Sequence, residues 1–471
     1  MSTPTRPNIV FVMSDDHAAH AIGAYGSAVA STPSIDRIAA GGMRFDSCFC
    51  ANALCAPSRA SILTGTYNHV NGVRTLSTEF DSSQPTFPPL LQQAGYQTAV
   101  FGKWHLGHGD GHDPVGFDDW SVLHEQGLYD DPVFHEPGGE VTREGYVTDV
   151  ITDMALEWLD RRDTDRPFCL LVHHKAPHRP FVPAARHADL YSDVEIPEPE
   201  TFWDDYSGRT GAAEAARMRV ARDLRHVDLK EEEPAGLSDR ESASWRYRRY
   251  MQDYLRCVAA VDEGVGRLLD RLQEEGIGED TVVVYTSDQG FFLGDHGWYD
   301  KRFMYEESLR MPLLISYPRA VQEGSVQTGL VSNVDFCQTI CDLAGVEPPD
   351  GVQGRSIVPL LDGEMPGGWR DAVYYRYWEH DDAQHGVWAH YGIRTATHKL
   401  IRYLPQGFGL PGTSEASYPE GWELFDLVED PQELRSRYDD PDYRDIRDQL
   451  HAQLEELMAT VGDVADPGRL A

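Results

Sequence analysis

Four short apolar runs in this chain each break off into a polar, chemically loaded cluster. Asn8 to Met13 leads into Ser14-Asp15-Asp16-His17, and Thr98 to Phe101 into Gly102-Lys103-Trp104-His105. Phe168 to Val172 leads into His173-His174, and Thr281 to Thr286 into Ser287-Asp288-Gln289-Gly290. Runs this short, bounded by breakers and rich in β-forming residues, read as strands buried on both faces. Helical patterns separate them, which predicts an α/β fold: a large mixed, mostly parallel sheet sandwiched by helices. Open sheets of that kind hold ligands outside the carboxyl ends of their strands. The four clusters are therefore expected to converge on one crevice.

Thr32-Pro33 opens a helix that stops at Gly41-Gly42. From Met251 to Glu275 a stripe of Tyr254, Val258, Val261, Val265, Leu268 and Leu272 predicts a long amphipathic helix, ended by Gly276. Residues 195–241 are charged and lack apolar periodicity, like an inserted surface excursion. After Gly345 the texture changes. Pro348-Pro349-Asp350-Gly351 is a turn-rich break, followed by strand-like pieces at 372–377, 388–394 and 399–403 and a helix near 444–460. With 471 residues the chain is long for one core. Two domains are expected: a large one over 1–347, and over 348–471 a smaller α+β one with an antiparallel sheet.

The chain carries 41 basic and 77 acidic residues, a net charge of −36. Such an excess argues against nucleic acid as a partner, and its far field repels long polyanions at low salt. Local charges dominate within a Debye length of about 8–10 Å, so a small anion in a basic pocket remains compatible. No apolar run approaches the span of a bilayer. Met1 to Pro7 is polar, and Ile9 to Met13 reads as a strand rather than a leader, so the expectation is a cytoplasmic protein without a membrane partner. A homo-oligomer is compatible with the sequence. The seven cysteines, odd in number and scattered, form no disulfide framework. Cys169, Cys257, Cys337 and Cys341 fit core positions, and the lone pair Cys48 and Cys50 is a weak zinc signal.

Cys55 stands apart. Pro57 suits a first helical position and Gly65 a stop, so Cys55 is expected at a helix N-terminus. Free amides and the helix dipole favour an anion there, and Arg59 lies one turn along on the same face. On spacing alone, a buried cysteine before a capped helix fits as well. The wording of the segment goes further. Cys55, Pro57, Ser58 and Arg59, followed by Thr64-Gly65, resemble the C-x-P-S-R signature of type I, formylglycine-dependent sulfatases of the alkaline phosphatase superfamily. In that family a maturation enzyme, the formylglycine-generating enzyme, oxidises this cysteine to formylglycine.

The resemblance covers nearly the whole chain and implies a site. Asp15-Asp16 and Asp288-Gln289 resemble the family's two metal-binding pairs, although many members have asparagine where Gln289 stands. With the oxidised side chain of Cys55 these form an all-oxygen set, which suits Ca2+, with Mg2+ or Mn2+ as alternatives. Gly102 to Gly107 matches a G-K-W-H-L-G stretch carrying Lys103 and His105. His178 matches the substrate-side histidine and Lys301 the second catalytic lysine. His296 is expected to be a scaffold hydrogen-bonder. The implied scheme has Arg59 and Lys103 holding the hydrated aldehyde, and His178 and Lys301 binding sulfate and protonating the leaving oxygen. His105 then removes the proton that lets sulfate leave. The stretch from Ser287 to Arg310 is similar to bacterial carbohydrate sulfatases, in particular those acting on 6-sulfated N-acetylglucosamine. His390 and Arg394 are the expected sugar contacts, with domain packing as the equal alternative. The implied substrate is a small sulfated sugar. The rival readings are a phosphonate or phosphate ester hydrolase of the same superfamily, a non-catalytic binder of sulfated glycans, and a zinc protein built on Cys48 and Cys50.

Overall fold

The computed structural model describes residues 6–470. Most of the N-terminal stretch read above as polar, Met1 to Thr5, lies outside them. Strand Asn8–Asp15 is central, paired in parallel with Thr281–Ser287 on one side and Phe168–Pro177 on the other. Gln97–Lys103 and Asp119–Leu123 continue the parallel run. Antiparallel strands border it on both sides: Leu313–Ser316 beyond Thr281–Ser287, and Val133–Glu136 beyond Asp119–Leu123. The result is a mixed sheet of ten strands, which bears out the expected large mixed sheet.

Alternation along the central strand divides the core. Ile9, Phe11 and Met13 pack into one layer with helices Cys55–Thr64 and Asp335–Ala344. Val10 and Val12 face the other, with Val147–Arg161 and Asp239–Glu274. Both sheet faces are thereby removed from water, which is why these strands contain almost no polar residues until their carboxyl ends.

The long helix begins at Asp239, twelve residues before the expected Met251. Its first turns are charged, yet Ala243, Tyr247 and Tyr250 are buried on the core side. Ser238 and Glu241 form a reciprocal capping box that fixes the start. The apolar stripe starts too late to reveal it. Pro57 is the third residue of its helix, not the first, because the helix starts at Cys55 itself. Proline is tolerated there since the first-turn N–H groups have no intrahelical acceptor.

The smaller sheet has four consecutive antiparallel strands, Ala372–Tyr377, His390–Thr395, His398–Tyr403 and Gly421–Asp426. Leu450, Leu454 and Met458 of the final helix pack on one side of it. Its other side merges with the main core: Val373, Tyr375, Tyr377 and Phe425 belong to the same buried cluster as Phe11 and Phe303. Among the described residues no helix is long and apolar enough to cross a membrane.

Candidate active site

The carboxyl ends of the parallel strands do converge. Asp15 ends the central strand, and Asp288 follows its neighbour Thr281–Ser287. Asp16 turns the chain with a left-handed backbone at φ 68°, and its N–H donates to Asp288 Oδ1 at 3.2 Å. Oxygens of Asp15, Asp16 and Asp288 all lie within 4.8 Å of one another, fully buried. Three acids so close cannot all be charged without cations beside them.

Three basic side chains supply that charge. Arg59, one turn into its helix, donates from Nε and Nη2 to Asp288 Oδ2 at 3.1 and 2.9 Å, and from Nη1 to the Lys103 carbonyl at 2.6 Å. Lys103 Nζ pairs with Asp15, and Lys301 Nζ donates to both oxygens of Asp16 at 2.7 and 2.8 Å. Burial would raise Asp15, but Lys103, His178, Arg59 and Lys301 outweigh it and hold the acid well below the usual carboxylate range. Burial dominates at Asp16, pushed up to about 7 despite Lys301, and Asp288 follows to about 6.

Gln289 donates from Nε2 to Asp16 Oδ1, while its buried Oε1 has no hydrogen-bond partner among the described residues. An orphaned amide oxygen beside crowded carboxylates is what a hard divalent cation would satisfy. Cys55, at the helix N-terminus, sets Sγ 3.4 Å from Asp15 Oδ1. Burial raises its thiol pKa, and Asp15 adds to that. As a thiol it is a poor nucleophile. The donor set therefore fits a cation held by oxygen, once residue 55 carries oxygen in place of sulfur. Cys48 and Cys50 are buried free thiols, and neither joins any metal-capable group among the described residues. The zinc reading has no site.

His178 hydrogen-bonds Nδ1 to the Arg179 carbonyl at 2.8 Å, which leaves Nε2 facing Asp16 at 3.8 Å. His105 sits at a left-handed φ of 56°, with Nε2 3.1 Å from the Gln126 amide nitrogen. Burial holds both imidazoles well below their ordinary pKa, and Lys103 adds to the effect. A cavity of about 580 Å³ opens onto Cys55, His178 and Lys301. Gln126, Lys175 and Arg302 join its lining, and none of them was anticipated. Gln126 follows strand Asp119–Leu123, so the strand-end rule would have found it had that strand been recognised. The 195–241 excursion, with Arg225, Val227 and Asp228, and the small-sheet region, with Glu379, Asp382 and His385, wall the cavity.

His390 and Arg394 are elsewhere. His390 is enclosed by Tyr375, Tyr377, Tyr403 and Phe303, with Nδ1 on the Trp388 carbonyl at 2.7 Å. Arg394 pairs with Glu306 and lies 4.6 Å over the Phe49 ring. Neither lines the cavity; the alternation of their strand turns both into the seam between the sheets. Both sit as domain packing, the alternative reading of these two residues, would have them. His296 is the expected scaffold donor, bonded to Asp204 at 2.9 Å in the protein interior.

A sequence profile described as Sulfatase matches residues 7–346, nearly three-quarters of the chain. The chain belongs to the sulfatase family. This sulfatase also matches, over residues 294–460, a profile described as N-sulphoglucosamine sulphohydrolase, C-terminal. It is 44% identical to an N-acetylglucosamine-6-O-sulfatase of Bacteroides thetaiotaomicron, over 97% of this chain and 87% of that protein. A solved structure in complex with its substrate D-glucosamine-2-N,6-O-disulfate superposes with a TM-score of 0.93 at 42% identity, covering 99% of this chain and all of that one. A phosphonate monoester hydrolase of Agrobacterium radiobacter shares the fold, at a TM-score of 0.77 and 22% identity over 97% of this chain and 96% of that chain. Membership in the family makes this protein a hydrolase of sulfate esters.

Proposed function

We propose that this sulfatase removes sulfate from a small sulfated sugar, 6-O-sulfated N-acetylglucosamine being the leading substrate. Cys55 matured to formylglycine and a calcium ion would serve as its working groups. The single observation behind the sugar is the pair of relatives above 40% identity, one named for that reaction and the other holding a 6-O-sulfated glucosamine. The cavity of about 580 Å³ is of the size that small-molecule sites have.

Asp15, Asp16, Asp288, Gln289 and residue 55 would hold the ion. When present, the ion and the hydrated aldehyde supply a nucleophilic oxygen near neutral pH. The remaining work falls to the chain's own side chains. Asp15, Asp16 and Asp288 are matched by Arg59, Lys103 and Lys301, so a divalent cation leaves the site net positive toward an anionic ester. Lys301 and His178 reach the same cavity as Cys55, where the Lys301 ammonium binds sulfate and delivers a proton to the leaving oxygen. Arg59, clamped by Asp288, keeps the helix N-terminus in place beneath residue 55.

The test is sulfate release from N-acetylglucosamine 6-sulfate, with the mass of tryptic peptide Phe45–Arg59 read in parallel to show thiol or aldehyde. Turnover that follows the aldehyde fraction supports the reading. Turnover by a pure thiol form would sink it. The phosphonate or phosphate ester alternative would use this same site. It prevails if kcat/KM for an aryl phosphonate exceeds that for the sugar sulfate.

A further inference from the structure

Lys103, Lys175, Lys301 and Lys399 are all buried, and three of them face acids. Lys103 pairs with Asp15, Lys301 with Asp16, and Lys399 with Glu306 and Glu433. Lys175 pairs with no acid among the described residues, although it is only 1% exposed. It lies near the carboxyl end of strand Phe168–Pro177, with Nζ 3.4 Å from the Arg179 carbonyl and 4.9 Å over the Tyr129 ring. One long hydrogen bond and a ring face leave most of an ammonium's donors unspent. A buried charge in that condition is costly. Burial brings its pKa down to about 7 and Lys103 adds to that, while Asp15 and Asp16 act the other way. The place for a counter-charge is the cavity, which Lys175 lines together with Cys55, His178 and Lys301.

We propose that Lys175 is a further substrate-binding residue, its ammonium donating to an anionic oxygen of the sulfate group alongside Lys301. The inference rests on the reading of this cavity as a sulfate-ester site and deepens it. Arg59, Lys103 and Lys301 are each spent on an acid of the cluster; the charge of Lys175 is not. A sulfate ester offers more terminal oxygens than one ammonium can serve, and a hydrogen bond between two charged groups in a dry site is a strong one. The ester keeps its negative charge from binding to bond cleavage. Lys175 therefore holds ground state and transition state alike and serves affinity rather than the chemical step. Without substrate the chain carries the cost of an unpaired cation, which the arriving anion offsets.

The experiment compares wild type with Lys175→Met, similar in length but uncharged, and Lys175→Gln, which keeps a donor for the Arg179 carbonyl. Calorimetry on the unmatured Cys55 form with calcium measures binding of inorganic sulfate and of N-acetylglucosamine 6-sulfate, with unsulfated N-acetylglucosamine as control. Both variants should bind the two sulfate ligands on the order of 10- to 100-fold more weakly, the scale of one charged hydrogen bond, and the control no differently. On matured enzyme KM should rise by a similar factor while kcat changes little. The melting midpoint of Lys175→Met without ligand should match or exceed that of wild type, since an unpaired buried charge has gone. Undiminished affinity for inorganic sulfate in the variants overturns the proposal. So does a midpoint well below wild type in both variants, the mark of a structural lysine, or a wild type that binds neither sulfate ligand. Should wild-type enzyme bind sulfate through Lys175 yet leave every sulfate ester intact after maturation, the proposed function fails and the binding assignment stands.

Discussion

Arg59 holds Asp288 with two nitrogens on a single carboxylate oxygen, at 3.1 and 2.9 Å, while its third nitrogen caps the backbone carbonyl of Lys103. One side chain thus ties the helix that begins at Cys55 to two strand ends. Arg59→Ala would leave Asp288 buried beside two other acids with one cation fewer. The expected cost is about 3–5 kcal/mol of stability, the scale for breaking a buried pair, measured by urea unfolding. Arg59→Lys should recover only part of it, since a point charge cannot make both contacts. A loss under about 1 kcal/mol in Arg59→Ala would show that the clamp is not structural.

Cys55→Ser should fold like the parent, because the side chain is small and its one polar contact is with Asp15 at 3.4 Å. A serine has no second hydroxyl with which to expel a bound sulfate, so multiple turnover should vanish. Steady-state rates equal to those of matured enzyme would contradict the nucleophile assignment.

Lys301→Ala should lower kcat by roughly 10²-fold or more, as loss of a proton donor does. The same change removes the ammonium from Asp16. Full activity in this variant would take Lys301 out of the machinery.

Calcium should stabilise the protein, and more strongly at alkaline pH. Asp16 and Asp288 titrate in the folded chain at about 7 and 6, above the ordinary value of 3.8. A raised carboxylate favours the folded state below its unfolded pKa, and that contribution is lost as pH rises through the folded value. An ion replaces those protons. The gain in melting midpoint on adding calcium should therefore be larger near about pH 8 than near about pH 5.5, since ligands must be deprotonated. Scanning calorimetry at the two pH values gives the order; the reverse order would count against the acid cluster as the ion's seat.

Arg394→Ala should cost stability and spare KM. Its guanidinium pairs with Glu306, which also carries Lys399 at 3.1 Å, so one cation remains. A lower melting midpoint with unchanged KM for sugar sulfate is expected. A raised KM at constant stability would restore Arg394 as a substrate contact.

The sequence made the parallel sheet and the acid cluster legible for one reason: buried strands carry no polar residues except where chemistry needs them. Asp15, Asp16 and Asp288 therefore announce themselves at strand ends. His390 and Arg394 stayed open between two readings because alternation in a short antiparallel strand does not say which side faces a second sheet. Gln126 was missed with the strand that precedes it, and Asp382 and His385 could not be read at all. They come from loops remote in sequence, with no local period or motif, and only tertiary folding brings them to one cavity. The start of helix Asp239–Glu274 was hidden by charge, although Ser238 and Glu241 spelled out its cap.

Tyr375, Tyr377 and Phe425 sit in the same oily layer as the central strand, so the smaller sheet is no detachable cartridge. Cutting the chain near residue 347 would strip the larger part of its lining and leave two sticky halves. A lineage that wishes to change what it desulfates cannot trade this piece wholesale. What remains open to change is the wall of the cavity, around Arg225 to Asp228 and Glu379 to His385, one side chain at a time, while the shared interior stays untouched.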